Sequence, residues 1–153
     1  EEAVSSFSNV ITLRTSWLYS SFGHNFVKSM IRLSKERDEL RIVFDQVGTP
    51  THAADLADAI LKIIALPVEK IAPGIYHYSN EGVCSWYDLT YEIREITGAE
   101  CRIVPIETKD YPLPAPRPHY SIMNKEKIKK QFGLEIPHWK TSLQDCMKII
   151  QNV

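Results

Sequence analysis

From Val10 to Ile106, short runs rich in apolar and β-branched residues alternate with segments whose apolar residues recur at helical spacing. Strands of that kind are buried only when helices cover them, so this alternation constrains the fold more than any single motif does. Val10 to Trp17 is a nearly continuous run, as expected of a strand buried on both faces, and Phe26, Val27, Met30, Ile31 and Leu33 then follow a helical period. Arg41 to Phe44 reads as a short strand. Asp55 to Leu66 reads as a helix with Leu56, Ile60, Ile63 and Ile64 on one face, ended by Pro67. Ile75 to Tyr78 is the next strand. Ser85 with Asp88 forms a capping-box pattern ahead of an apolar stripe at Trp86, Leu89, Ile93 and Ile96, and Gly98 supplies the stop. Ile103 to Ile106 closes the series. The order favours an α/β architecture within one domain of 153 residues, with an α+β arrangement left open.

The remainder is less regular. The segment Lys109 to Pro118 holds Pro112, Pro114, Pro116 and Pro118 and cannot be a regular helix, because proline lacks the amide donor and clashes with the preceding turn. It is expected to be a loop held extended. Asn124 can cap a short helix carrying Ile128 and Phe132 and ending at Gly133, and a last helix is expected near Thr141 or Ser142, burying Leu143, Cys146 or Met147, and Ile150. Ser34 to Leu40 reads as a solvated helix end with charge pairs four residues apart. Tyr76, Tyr78, Tyr87 and Tyr91 read as packing or interface residues.

Charge and composition exclude several classes. Lys plus Arg number 18 against 19 Asp plus Glu, giving a net charge of -1, so no general field draws the chain to nucleic acid or to an anionic membrane. The basic group Lys125, Lys127, Lys129 and Lys130, interrupted by Glu126, therefore reads as a solvated face. The longest apolar run, Ile63 to Leu66, falls far short of the roughly 18 residues that cross a bilayer, and the opening EEAVSSFSNV has no signal-peptide pattern; the expectation is a cytoplasmic protein. Cys84, Cys101 and Cys146 are odd in number and widely spaced, which suits ordinary thiols, and the dispersed histidines offer no metal-ligand spacing.

Three segments, in order, carry a family resemblance. RTSWLYSSFGHNFV (Arg14 to Val27), FDQVGTPTHAADLADAI (Phe44 to Ile60) and APRPHYSIMNKEKIKKQFGLEIPHW (Ala115 to Trp139) resemble the RTSW strand, the DQ-x-G-x-PT turn and the RPxxS loop of the dTDP-4-dehydrorhamnose reductase family, within the extended short-chain dehydrogenase/reductases. The resemblance implies the last elements of a Rossmann-like fold plus a smaller α/β substrate-binding domain. It also implies NADPH as cofactor, a dTDP-sugar as substrate and a parent enzyme that is often a homodimer. By the same resemblance Trp17, Asn25, Gln46, Thr51, Arg117 and Ser121 are expected to bind substrate, and Thr15 and Ser16 to lie at the cofactor.

Each has a plainer reading beside it. Trp17 can offer a flat apolar ring and an indole donor to a sugar, or be core. The turn from Gln46 to Thr51 leaves an amide and a hydroxyl free for a ligand, whereas Asp55 reads mainly as a carboxylate favoured at a helix amino terminus. Arg117, on a stiff Pro-Arg-Pro loop, suits bidentate contact with phosphate oxygens or an ion pair that anchors the loop.

Two features of the family's chemistry are missing. A dinucleotide turn needs clustered glycines, and here the nearest pair is Gly74 and Gly82. The catalytic Tyr-x-x-x-Lys pair cannot be written from any of the seven tyrosines. The expectation is therefore a single fragment, residues 1–153, that is mainly the substrate-binding domain, with the NADPH-binding amino-terminal half absent and no catalytic residue of its own. Glu1 to Val4 resembles the stretch just after the catalytic lysine. Two alternatives stay open: a regulatory subunit resembling the β subunit of methionine adenosyltransferase, and a reductase or epimerase of another nucleotide sugar.

Overall fold

Three of the four strand pairs are parallel, as strands separated by helical crossovers require. The computed structural model describes residues 1–4, 6–112 and 114–151. The strands are β1 (Ile11–Arg14), β2 (Leu18–Tyr19), β3 (Glu39–Val43), β4 (Val47–Gly48), β5 (Thr51–His52), β6 (Gly74–His77), β7 (Cys84–Ser85) and β8 (Arg102–Ile106). The helices are α1 (Phe26–Glu36), α2 (Ala53–Ile64), α3 (Trp86–Thr97), α4 (Glu126–Phe132) and α5 (Trp139–Gln151). β1 pairs with β6, β2 with β5 and β3 with β8, while β4 and β7 form a short antiparallel pair. The α/β expectation holds. No strand among the described residues pairs with the outer edge of β1.

The apolar stripes read from the sequence build two cores. One joins Val27 and Met30 of α1, Leu40 of β3, Leu89 and Ile93 of α3, Ile103 of β8, and Leu143, Cys146 and Met147 of α5. The other joins Ala59 and Ile63 of α2 to Tyr76, Tyr78, Ile128, Phe132 and Leu134. Fully burying a Leu or Ile side chain is worth about 1.5–3 kcal/mol, so these faces decide how the helices dock. Helix ends are set locally. Asn25 caps α1 by accepting the Lys28 amide at 3.1 Å, and Ser85 and Asp88 close the capping box of α3. Gly98, at a φ of 64°, ends α3 in a conformation that costs glycine little.

Four expectations are corrected. The first strand ends at Arg14, because Trp17 takes a φ of 46° and breaks the run before β2. Ser34 to Leu40 is not one helix end: α1 stops at Glu36, and Glu39 and Leu40 open β3. α5 starts at Trp139, whose amide donates to the Glu81 carbonyl at 2.9 Å, not near Thr141. Asn124 does accept the Glu126 amide at 2.8 Å, but the residue flanking α4 is Lys125. The proline-rich segment forms no regular helix after the single 3-10 turn at Thr108–Asp110, and Leu113 lies outside the described residues.

Candidate substrate groove

Beside the larger core, α1, β3 and the proline-rich segment enclose a groove of about 970 Å³. Met30, Leu33, Leu40, Ile42, Val43 and Ile106 give it an apolar wall, and Trp17, Phe26 and Trp86 an aromatic one. Arg37, Arg41, Arg117, Glu39 and Asp110 supply the charge. None of the three arginine side chains forms a hydrogen bond or an ion pair among the described residues. A groove with an apolar body and unpaired guanidinium groups suits a ligand that carries both a ring and an anion.

Four of the six expected substrate residues line this groove: Trp17, Gln46, Arg117 and Ser121. Gln46 is only 7% exposed and donates from Nε2 to the Thr108 hydroxyl at 3.1 Å, and that hydroxyl donates to Asp45 at 2.7 Å. Ser121 belongs to a stitch between the proline-rich segment and β4. The Val47 amide donates to the His119 carbonyl at 2.8 Å, and the Ser121 amide returns to the Val47 carbonyl at 2.9 Å. This stitch holds Arg117 and Pro118 at the rim. Of the two readings of Arg117, the anchoring ion pair has no partner among the described residues.

Asn25 and Thr51 are placed elsewhere. Asn25 caps α1 and donates from Nδ2 to the Ser20 carbonyl at 2.7 Å, so its side chain is spent on bracing the loop before α1. Thr51 is wholly buried in β5, where its hydroxyl finds no partner and its amide donates to the Trp17 carbonyl at 3.1 Å. Of the expected cofactor residues, Thr15 is exposed just past β1, and the Ser16 hydroxyl donates to the Thr49 carbonyl at 3.0 Å. The described residues build no dinucleotide cradle, because no glycine cluster sits between a strand and a helix. Nor do any three His, Cys, Asp or Glu among them converge as metal ligands.

Trp17 is half-buried, and its ring stacks on Trp86 with centroids 3.6 Å apart and planes 10° from parallel. Trp17 thus packs against the larger core and also lines the groove. Trp86 is the residue that sequence reasoning missed. Its spacing placed it on a helical core stripe, and nothing local distinguishes a core ring from one that backs a site.

The lysines in and beside α4 only partly form the solvated face that their spacing suggested. Lys125 is only 9% exposed, with Nζ donating to the Asn80 carbonyl at 2.8 Å and pairing with Glu81 at 3.2 Å, and Lys129 pairs with the same carboxylate. Lys127 donates to the Ile75 carbonyl at 3.0 Å and lies over the Tyr76 ring. Lys127 and Lys130 are exposed and fit a solvated face, Lys130 being paired with Glu126.

Residues 1–152 match the family model described as the RmlD substrate binding domain. The chain belongs to this family. Among curated relatives it is 40% identical over 136 residues to the spore coat polysaccharide biosynthesis protein SpsK of Bacillus subtilis, covering 89% of this chain and 46% of that protein. It is 38% identical over 151 residues to the dTDP-4-dehydrorhamnose reductase of Burkholderia thailandensis, covering 90% and 51%. A crystal structure of dTDP-4-dehydrorhamnose reductase from Bacillus anthracis, in complex with NADP, superposes with a TM-score of 0.84 at 37% identity, covering 91% of this chain and 48% of that one. The chain spans about half the length of the relatives it matches. No described helix is long and apolar enough to cross a membrane.

Proposed function

We propose that this chain is the nucleotide-sugar-recognising part of an NADPH-dependent reductase that converts the C4 keto group of dTDP-4-dehydro-L-rhamnose to the hydroxyl of dTDP-L-rhamnose. The observation that carries the reading is the convergence of Trp17, Gln46, Arg117 and Ser121, from well-separated parts of the chain, on a single groove. Relatives named for that reductase activity, one of them solved with NADP, support it.

In this reading the half that carries the catalytic pair and the dinucleotide turn lies outside the chain, and the residues here bind and orient. The Trp17 ring lies beside the sugar, Arg117 takes diphosphate oxygens, and Gln46 and Ser121 offer hydrogen bonds to the sugar nucleotide. Asn25 and Thr51 act through the backbone, by fixing the loop before α1 and the peptide of Trp17. Thr15 and Ser16 lie at the boundary with the cofactor. Hydride would come from NADPH held by the other half, so no bond-making step falls to these residues. Three buried, unpaired thiols support a reducing compartment, the cytoplasm.

The test is calorimetric titration of the full-length protein with dTDP-rhamnose, dTDP and UDP-glucose. The dTDP ligands should bind the more tightly, and Arg117→Ala should weaken them roughly tenfold, the value of one charge-assisted hydrogen bond of ~1.5 kcal/mol. Tighter binding of UDP-glucose would overturn the assignment of the sugar nucleotide. An unchanged affinity in Arg117→Ala would remove that residue from the site.

A further inference from the structure

Trp17 holds a backbone conformation that a bulky residue rarely adopts. At a φ of 46° its Cβ crowds the following carbonyl, a strain that persists only where surrounding contacts over-determine it. Those contacts are on both sides of the residue. The preceding hydroxyl, Ser16 Oγ, donates to the Thr49 carbonyl at 3.0 Å, and the Trp17 carbonyl accepts the Thr51 amide at 3.1 Å. The backbone on either side of Trp17 is thus tied to the turn between β4 and β5.

The ring is held as firmly as the backbone. It stacks on Trp86 at 3.6 Å, and Trp86 is itself backed by Phe26, with centroids 4.5 Å apart. It also lies against Gly48. A Cβ at position 48 would come within 2.7 Å of Trp17 Cε2 and of the Ser121 hydroxyl, closer than real Cβ atoms approach. Gly48 therefore has no room for a side chain because the indole and Ser121 occupy it. β4, which carries Gly48, is hydrogen-bonded to β7, and β7 runs directly into α3 with Trp86 as its first residue. The two residues that press on the ring are thus tied together by one short ladder, Gly48 within it and Trp86 directly after it.

We propose that Trp86 and Gly48 form a clamp that fixes the indole of Trp17 in the groove, with Trp86 a positioning residue for the ligand. The inference rests on the reading of Trp17 as a ligand-facing residue. Its physical basis is that a ring held in advance loses no rotamer freedom when a sugar meets it, and that a misplacement of about 1 Å can cost a hundredfold. The clamp also explains why a strained backbone is retained at position 17: a relaxed φ would swing the indole off Trp86.

The experiment is an indole NMR measurement with parallel titration of dTDP-rhamnose on the wild-type protein and on Trp86→Leu, Trp86→Phe and Gly48→Ala. The indole N–H signal of Trp17 is assigned by its loss in Trp17→Phe. Trp86→Leu and Gly48→Ala should shift or broaden that signal and weaken binding roughly ten- to a hundredfold. Trp86→Phe, which keeps a ring in the stack, should recover most of both. A Trp17 signal unmoved by Trp86→Leu and Gly48→Ala overturns the clamp. A moved signal with unchanged affinity overturns its role in binding. If the wild-type protein binds no dTDP-sugar, the substrate reading fails, while a moved signal still upholds the clamp. Should Trp86→Leu not fold, Gly48→Ala decides alone, since it adds only one methyl group at the end of a two-residue strand.

Discussion

Asn80 donates from Nδ2 to the Asp55 carboxylate at 2.6 Å while its Oδ1 accepts the His52 amide at 2.8 Å, so one wholly buried side chain holds both His52 and Asp55 at the start of α2. The same Nδ2 donates to Ser142 of α5 at 2.9 Å, and the Asn80 carbonyl accepts Lys125 Nζ. This polar joint lies where the two apolar cores meet, linking α2 on one side to α5 on the other.

Replacing Asn80 with Ala should destabilise the protein by about 2–4 kcal/mol, because it strands a buried amide, a hydroxyl and a carboxylate at once. The check is the urea midpoint at an unchanged m-value. A loss below about 0.5 kcal/mol, the range of an ordinary surface change, would mean that water or rearrangement satisfies the joint.

The joint also predicts a pH profile. The Asp55 carboxylate, 3.8 Å from Nδ1, and after it the Cys146 side chain raise the His52 pKa from 6.5 to about 9. Burial pushes Asp55 up, but His52, Ser142 and the hydrogen-bonded Asn80 beside it outweigh that and hold the carboxyl below its usual range. A histidine whose folded pKa is raised contributes fully below its unfolded value, and the contribution fades as pH rises from 6.5 through about 9. An aspartate whose folded pKa is lowered contributes above its unfolded value of about 3.9, and the contribution fades as pH falls below that. The pair should therefore stabilise most between about pH 4 and 6.5, with on the order of 2 kcal/mol lost on the alkaline side. Urea midpoints measured from pH 4 to 10 test this. His52→Gln should flatten the alkaline limb, and an identical limb in that variant would exclude His52 as its source.

Glu81 is the partner of two lysines of which one is buried, so its loss should be felt mainly through Lys125. Burial alone would raise the Glu81 pKa, but Lys129 and Lys125 hold it below the usual carboxylate range. Glu81→Gln should cost about 2 kcal/mol, at the low end for a broken buried pair because the carboxylate is partly exposed. Glu126→Gln, which breaks the exposed pair with Lys130, should cost less than about 0.5 kcal/mol. Thermal melts of the two variants side by side give the comparison, and equal losses would refute the distinction.

Features that depend on near neighbours in the chain were legible. The capping box of Ser85 and Asp88, the Gly98 stop and the apolar stripes of α1, α2 and α3 all involve residues within a few turns of each other. Gln46, Arg117 and Ser121, singled out through motif resemblance, line one groove. The departures share a cause. The helical period at Ser34 to Leu40 cannot reveal that β8 is waiting to pair with Glu39 and Leu40, and a row of lysines looks solvated until Glu81 and the Asn80 carbonyl are brought beside it.

The sequence by itself determined the alternation of strands and helices, their caps, the family and the short segments that meet at the groove, because period, capping and turn chemistry act over a few residues. Only the tertiary structure decided the left-handed backbone of Trp17, its stack on Trp86, the exclusion of a side chain at Gly48 and the polar joint at Asn80. Each of those needs groups from distant parts of the chain within a few ångströms of one another, and their positions are set by how the two cores pack.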